Sequence, residues 1–177
     1  MAKCCSERNR MAEDELYRRY AARVFTLCRR YTGDREEAKD LMQETLLKAL
    51  DKIHTFQYSG KGSLYAWISR IAINMALNQI KRRRWRTVSL DSWEEDNLPD
   101  PTEEEMETLP PEKLLEWIAR LPEMRRVVFN LYCIDGYSHK DIGKMLGISE
   151  KGSAGMLAKA RKKLKEEIRD YWKERDK

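Results

Sequence analysis

The sequence predicts an all-α protein, two small helical domains joined by a flexible acidic linker. Three observations carry this. Apolar residues recur every three or four positions through most of the chain, the period of a one-sided helix. Glycine and proline number only 8 and 5 in 177 residues and gather in a few places, which suits helices better than a sandwich or barrel. Charge is segregated along the chain rather than mixed. Residues 81–86, KRRRWR, hold five cations in six positions; residues 91–112 hold ten carboxylates and no lysine or arginine; the chain is basic again from residue 140. The expected divisions are a tail at 1–10, a first domain at 11–86, a linker at 87–109 and a second domain at 110–177.

The first helix is expected over 11–31, with Leu16, Tyr20, Val24, Leu27 and Tyr31 on one face. Gly33 ends it. Asp34 caps the next helix, and Glu37 three residues later completes a capping-box pattern. That helix runs to about Ile53 with Ala38, Leu41, Thr45, Leu46, Ala49 and Ile53 inward. The glycine-containing stretch 54–62, HTFQYSGKG, breaks the pattern. Ser63 is placed to cap a third helix whose stripe is Leu64, Trp67, Ile68, Ile71, Met75 and Ile80. Residues 87–110 lose periodicity and gain acid and proline, the composition of an extended spacer.

The second domain opens at Pro110-Pro111, since proline is tolerated in a first helical turn. Leu114, Leu115, Ile118 and Leu121 make a short helix. Another follows Pro122, with Val127, Val128, Leu131 and Tyr132 inward. Asp135-Gly136 is a turn. Ser138 caps the next helix with Asp141 as its box partner, and Gly147 supplies the left-handed residue that ends it. Ser149 caps the last helix, which runs toward Trp172.

Chemistry of the catalytic or metal-dependent kind is not expected. The four cysteines, Cys4, Cys5, Cys28 and Cys133, show no CxxC or Cys/His ligand spacing, and the two histidines, His54 and His139, fall in different domains. No nucleophile–base pair or phosphate loop is present. We therefore expect no enzyme activity, no cofactor and no metal. No apolar run is long enough for a signal peptide or a membrane span, so no membrane insertion and a reducing, cytoplasmic setting are expected.

Two motifs point to DNA. Residues 136–165, GYSHKDIGKMLGISEKGSAGMLAKARKKLK, read as a helix-turn-helix with a basic continuation at Lys159, Arg161, Lys162, Lys163 and Lys165. In the first domain Trp67, Arg70, Asn74, Asn78, Lys81, Arg82 and Arg83 follow one another along the third helix at helical steps. Such a stripe can stack on bases, bond base edges and hold phosphates. Trp67 alone would read as a core residue, and Asp40, Gln43, Glu44 and Lys48 alone as the polar face of an amphipathic helix. A helix-turn-helix repressor or activator acting without a partner would leave the first domain without a role, and a purely structural adaptor would leave the basic blocks without one.

The stretches GDREEAKDLMQETLLKALDKI and GSLYAWISRIAINMALNQIKRRR resemble region 2 of the bacterial sigma-70 family of RNA polymerase initiation factors. LPEMRRVVFNLYCIDGYSHKDIGKMLGIS resembles their region 4. The order, the spacing and the absence of other regions resemble the extracytoplasmic-function (group 4) subfamily. The resemblance implies a two-domain promoter-specificity factor. Asp40, Leu41, Gln43 and Glu44 would dock on the β′ clamp helices of core RNA polymerase. Phe56 and the loop to Gly62, with Trp67, Arg70, Asn74 and Asn78, would read and help open the −10 element of promoter DNA, and Lys81, Arg82 and Arg83 would hold phosphates. The second domain would dock on the β flap and read the −35 element through Ser149, Ser153, Ala154, Gly155, Ala158, Lys159 and Lys162. An anti-sigma factor that covers both domains is a further partner found in the subfamily. The acidic linker reads either as a solvated spacer or as a mimic of a nucleic-acid backbone in a polymerase channel. One departure stands out. Family recognition helices commonly present Thr-Val-Arg/Lys-Ser-Arg before a leucine, whereas this chain has Gly152, Ser153, Ala154, Gly155 and Met156 before Leu157. Small residues there would let the backbone approach the bases, with Ala154 or Ala158 against thymine methyls and Ser153 on a base edge.

Overall fold

A computed structural model describes residues 10–84 and 107–175. The chain divides into two compact units, residues 1–86 and 87–177, and each is described by itself. Cys4, Cys5 and the linker up to residue 106 lie outside the described residues.

The first unit is built from α1 (Arg10–Thr32), α2 (Arg35–Asp51) and α3 (Ser63–Arg84). α1 stops at Gly33, which adopts φ +75° and returns its N–H to Arg29 O at 3.0 Å. Asp34 then accepts the N–H groups of Glu36 and Glu37 at 2.8 and 2.9 Å. Those backbone donors, Glu37 foremost, hold its carboxyl below the usual range. The expected box closes only on this side: the Glu37 carboxylate receives Arg83 of α3 at 3.0 Å instead. After α2 a short 3-10 turn, Ile53–Thr55, leads into the loop. Gly62, at φ +90°, takes the first helical bond of α3 from Ala66. Ser63, expected as the cap, is inside the helix and donates to Gly60 O at 2.7 Å, closing the loop on itself.

All three helices meet in one core. α1 contributes Leu16, Val24, Leu27, Cys28 and Tyr31; α2 contributes Ala38, Leu41, Met42, Leu46 and Ala49. α3 buries Leu64, Ile68, Ala72, Ile73, Ala76, Leu77 and Ile80. Its expected stripe is thus corrected: Trp67, Ile71 and Met75 are only half-buried. α3 packs on both α1 and α2, so its buried arc is wider than one helical stripe and includes alanines that let backbones approach. The Cys28 thiol, pushed up to about 12 chiefly by burial and only partly relieved by Thr45, stays protonated at neutral pH.

The second unit consists of α4 (Pro111–Arg120), α5 (Glu123–Phe129), α6 (His139–Leu146) and α7 (Glu150–Arg175). Leu109, Trp117, Ile118 and Leu121 pack against Ala160, Leu164 and Ile168 of α7. The buried Arg126 donates to the carbonyls of Ala119 and Leu121, each at 2.9 Å, satisfying the open end of α4 with a cation. α5 widens into a π-helical turn over Asn130–Ile134, where Asp135 N reaches back five residues to Asn130 O at 2.9 Å. Nothing in the hydrophobic period announces this turn. It rotates Tyr132, expected inward, to 38% exposure.

The helix-turn-helix is as expected in its local chemistry. Ser138 Oγ accepts Asp141 N at 3.1 Å and donates to its carboxylate at 2.6 Å; Gly147 is left-handed at φ +68°; Ser149 Oγ accepts Gly152 N at 2.9 Å. The spacing of the two helices is set by Gly143. A Cβ there would lie 2.8 Å from the backbone oxygen of Ile148. Among the described residues no helix is long and apolar enough to cross a membrane, and no cluster of potential metal ligands occurs.

Gly143→Ala should destabilise the second unit by about 1–3 kcal/mol, because backbone must move to admit one methyl group; thermal unfolding of the variant checks it. Under native conditions a thiol-alkylating reagent should label the exposed Cys133 and leave the buried Cys28 unmodified until the chain unfolds, read by peptide mass spectrometry.

Candidate nucleic-acid interface

Burying one arc of α3 turns the opposite arc to solvent. Arg70, Asn74, Asn78, Lys81 and Arg82 are all exposed and lie on one stripe of about three turns. Trp67 falls at the same helical phase near the start of the stripe. It is half-buried because Phe56, the residue that ends the 3-10 turn, tilts against it with centroids 5.6 Å apart and planes at 57°. The two aromatics form one platform beside the polar stripe, next to a loop whose Tyr58 is 76% exposed. Such a platform can stack on an unpaired base while the neighbouring amides and cations hold the strand. Arg83 is exposed but falls off this phase, where it meets Glu37 at 3.0 Å in a partly exposed pair.

On α2, Asp40, Gln43 and Glu44 are exposed together. Leu41, expected to dock with them, is corrected: it is fully buried in the core and acts by holding the helix that presents the others. Leu47 was missed. It is 68% exposed and lies two turns from Asp40 on the same phase, next to Gln43.

In the second unit Lys151, Gly155, Ala158 and Lys162 follow at four-, three- and four-residue steps along α7, with Ala154 and Lys159 beside them. Ser149 is exposed at the helix start. Ser153, expected on a base edge, is corrected: it is fully buried and its hydroxyl meets His139 Nδ1 at 3.0 Å. The basic continuation is also sorted by its partners. Lys163 bridges Glu167 and Glu166 at 3.2 and 3.7 Å, and Glu167 foremost holds its ammonium more firmly protonated than usual. Arg161 faces the ring of Tyr132. Lys162 stays on the small-residue stripe.

A family model described as Sigma-70 region 2 matches residues 16–86, and one described as Sigma-70, region 4 matches residues 111–164. The ECF RNA polymerase sigma factor SigM of Mycobacterium tuberculosis is 30% identical over 159 residues, covering 88% of this chain and 76% of that protein. The chain belongs to the ECF sigma factors. The ECF RNA polymerase sigma-E factor of Haemophilus influenzae is likewise 30% identical over 142 residues, 74% of each chain. SigE of Mycolicibacterium smegmatis is 30% identical over 163 residues, 89% of this chain, and there the chain spans 60% of the relative's length. Among solved structures, the sigma factor RpoE of Bartonella quintana, crystallised with the anti-sigma factor NepR, shares the fold. Its TM-score is 0.52 at 19% identity, covering 88% of this chain and 96% of that one.

As an ECF sigma factor the chain is a promoter-specific factor for transcription initiation. The α3 stripe and the Phe56–Trp67 platform lie within the region 2 match, and the α7 stripe within the region 4 match. The last turns of α7, with Ile168, Tyr171 and Trp172 packed onto the α4 cluster, extend beyond it.

Proposed function

We propose that this chain docks on core RNA polymerase through both units and engages promoter DNA at two places. The observation that carries the reading is that each family-matched unit turns one helical stripe away from a core that fixes its direction, polar and cationic on α3, small residues flanked by lysines on α7. Asp40, Gln43 and Glu44 pair with cationic side chains of the β′ clamp helices, and Leu47 adds an apolar contact at their centre. Arg70, Asn74, Asn78, Lys81 and Arg82 hold the −10 element, and Phe56 with Trp67 stacks against a base drawn out of the duplex. Tyr132 and Ile134, 38% and 46% exposed at the π-helical turn, offer the β flap an apolar patch. Ser149, Ala154, Gly155, Ala158, Lys159 and Lys162 face the −35 element, joined by Lys151, with lysines on phosphates and small residues close to the bases.

Sigma factors are generally non-enzymatic, and this chain is read as one that acts with polymerase in the cytoplasm without turnover or cofactor of its own. An anti-sigma factor of the kind bound to the Bartonella protein fits the same reading, as a partner that covers the docking and DNA faces.

The decisive experiment is transcription from genomic fragments by core polymerase with and without the chain. New start sites that depend on the chain are expected, and failure to redirect initiation would overturn the reading. Glu44→Arg should weaken binding to core about tenfold or more by charge reversal at a docking face. Its unfolding midpoint should stay at the wild-type value, because Glu44 is exposed; a co-sedimentation titration beside thermal unfolding measures both.

A further inference from the structure

Ser153 is the buried residue within 150–156, the tip of α7. Its neighbours Gly152 and Gly155 each lower helix stability by about 1 kcal/mol relative to alanine. The tip is therefore held by the Ser149 cap at one end and by Ser153 in the middle. At this place the resembled family commonly carries valine, which packs without a partner. A serine does not: a buried hydroxyl deprived of its hydrogen bond costs on the order of 1–3 kcal/mol. Here the partner is His139 Nδ1, 3.0 Å away on the first turn of α6. The imidazole is itself clamped, stacked on Tyr132 with centroids 4.3 Å apart and planes at 18°. Arg161 of α7 lies over the Tyr132 ring at 5.9 Å and reaches Cys133 Sγ at 3.8 Å. Four side chains thus close a circuit from the α7 tip through α6 and the π-helical turn and back to α7.

We propose that His139 is a positioning residue for −35 discrimination: its hydrogen bond to Ser153 sets where the α7 tip lies, and with it the bases the small residues can reach. The inference rests on the promoter reading above. It gains force from the chemistry of the tip. Long arginine or lysine side chains can adjust to a helix shifted by a fraction of an ångström, whereas Ala154, Gly155 and Ala158 have no rotamers with which to follow the bases. Discrimination by close approach then depends on where the backbone is held.

The test uses the full chain with core polymerase. The template is a promoter that the wild-type chain recovers from genomic fragments, compared with the same template carrying a replaced −35 element. His139→Phe keeps a ring on Tyr132 and removes Nδ1; the ratio of initiation on the two templates should fall about tenfold. His139→Asn, which keeps a hydrogen-bonding group near Nδ1, should stay within about twofold of wild type. The double variant His139→Phe with Ser153→Val should regain the wild-type melting temperature and still show the lowered ratio. In the free chain, amide exchange at residues 151–156 should quicken about tenfold in His139→Phe and not in His139→Asn. Should His139→Phe fail to fold, Ser153→Val alone carries the comparison, with a lowered ratio again expected. A His139→Phe ratio within about twofold of wild type, a ratio that tracks melting temperature across the variants, or loss in His139→Asn equal to that in His139→Phe overturns the proposal. Absence of any start site with the wild-type chain is a different result, since it overturns the promoter reading before a variant is made.

Discussion

Burial of Leu157, Ala160, Leu164 and Ile168 fixes how far α7 is turned about its own axis, and burial of Leu64, Ile68, Ala72, Ile73, Ala76, Leu77 and Ile80 does the same for α3. Everything proposed for DNA contact depends on those two rotations. A fully buried leucine or isoleucine contributes roughly 1.5–3 kcal/mol, whereas an ordinary hydrogen bond contributes a net of about 0.5–1.5 kcal/mol. The apolar arc therefore decides the rotation and the polar arc accepts it. Turning α3 by one residue would bury Asn74 and Asn78 or expose part of the core. The reading faces are set by the side chains that never touch the nucleic acid.

The same ordering of magnitudes explains how a chain with a net charge of only +5 can meet a polyanion. Several cations are engaged within their own unit: Arg83 with Glu37, Lys163 with Glu166 and Glu167, Arg19 with Glu15, and Arg120 with Glu116. All are partly exposed pairs of the kind that contributes at most about 1 kcal/mol. A phosphate arriving at Arg83 displaces little. The relevant quantity is where cations can be recruited, and the α3 stripe and the α7 stripe each concentrate them on one face.

Features governed by neighbours in sequence were legible there. Gly33, Asp34, Ser138, Gly147 and Ser149 each act through backbone within four residues, and each stands where its local chemistry requires. What escaped is set by the approach of a second helix. Leu41 and Asp40 are adjacent, and periodicity alone separates their fates; the resemblance grouped them, and packing divides them. Ser153 looks like a polar residue on a reading face until α6 comes within hydrogen-bond distance. The wide arc of α3 reflects contact with two helices at once, which a single stripe cannot describe. The π-helical turn at Asn130–Ile134 inserts one residue into the helical count and moves Tyr132 outward, a change with no signature in hydrophobic spacing.

The recognition tip then poses a question of affinity. With Ser153 inward and no long cation between Ser149 and Lys159 other than Lys151, α7 offers few side-chain contacts of its own. A lone domain with such a tip would bind at the level of non-specific contacts, with a Kd of about 0.1 mM to 1 μM at physiological salt. Joining it to a second DNA-binding unit already seated on the promoter changes the arithmetic. A tether whose length matched the span would supply an effective concentration of order 1 mM, at which even a contact of about 0.1 mM would be roughly nine-tenths occupied. Weak contact suffices when the partner brings the helix to its site, and what remains for the helix to contribute is discrimination. That is a matter of position rather than strength. A tip of glycine and alanine, pinned by a buried serine to a clamped histidine, is built to supply position.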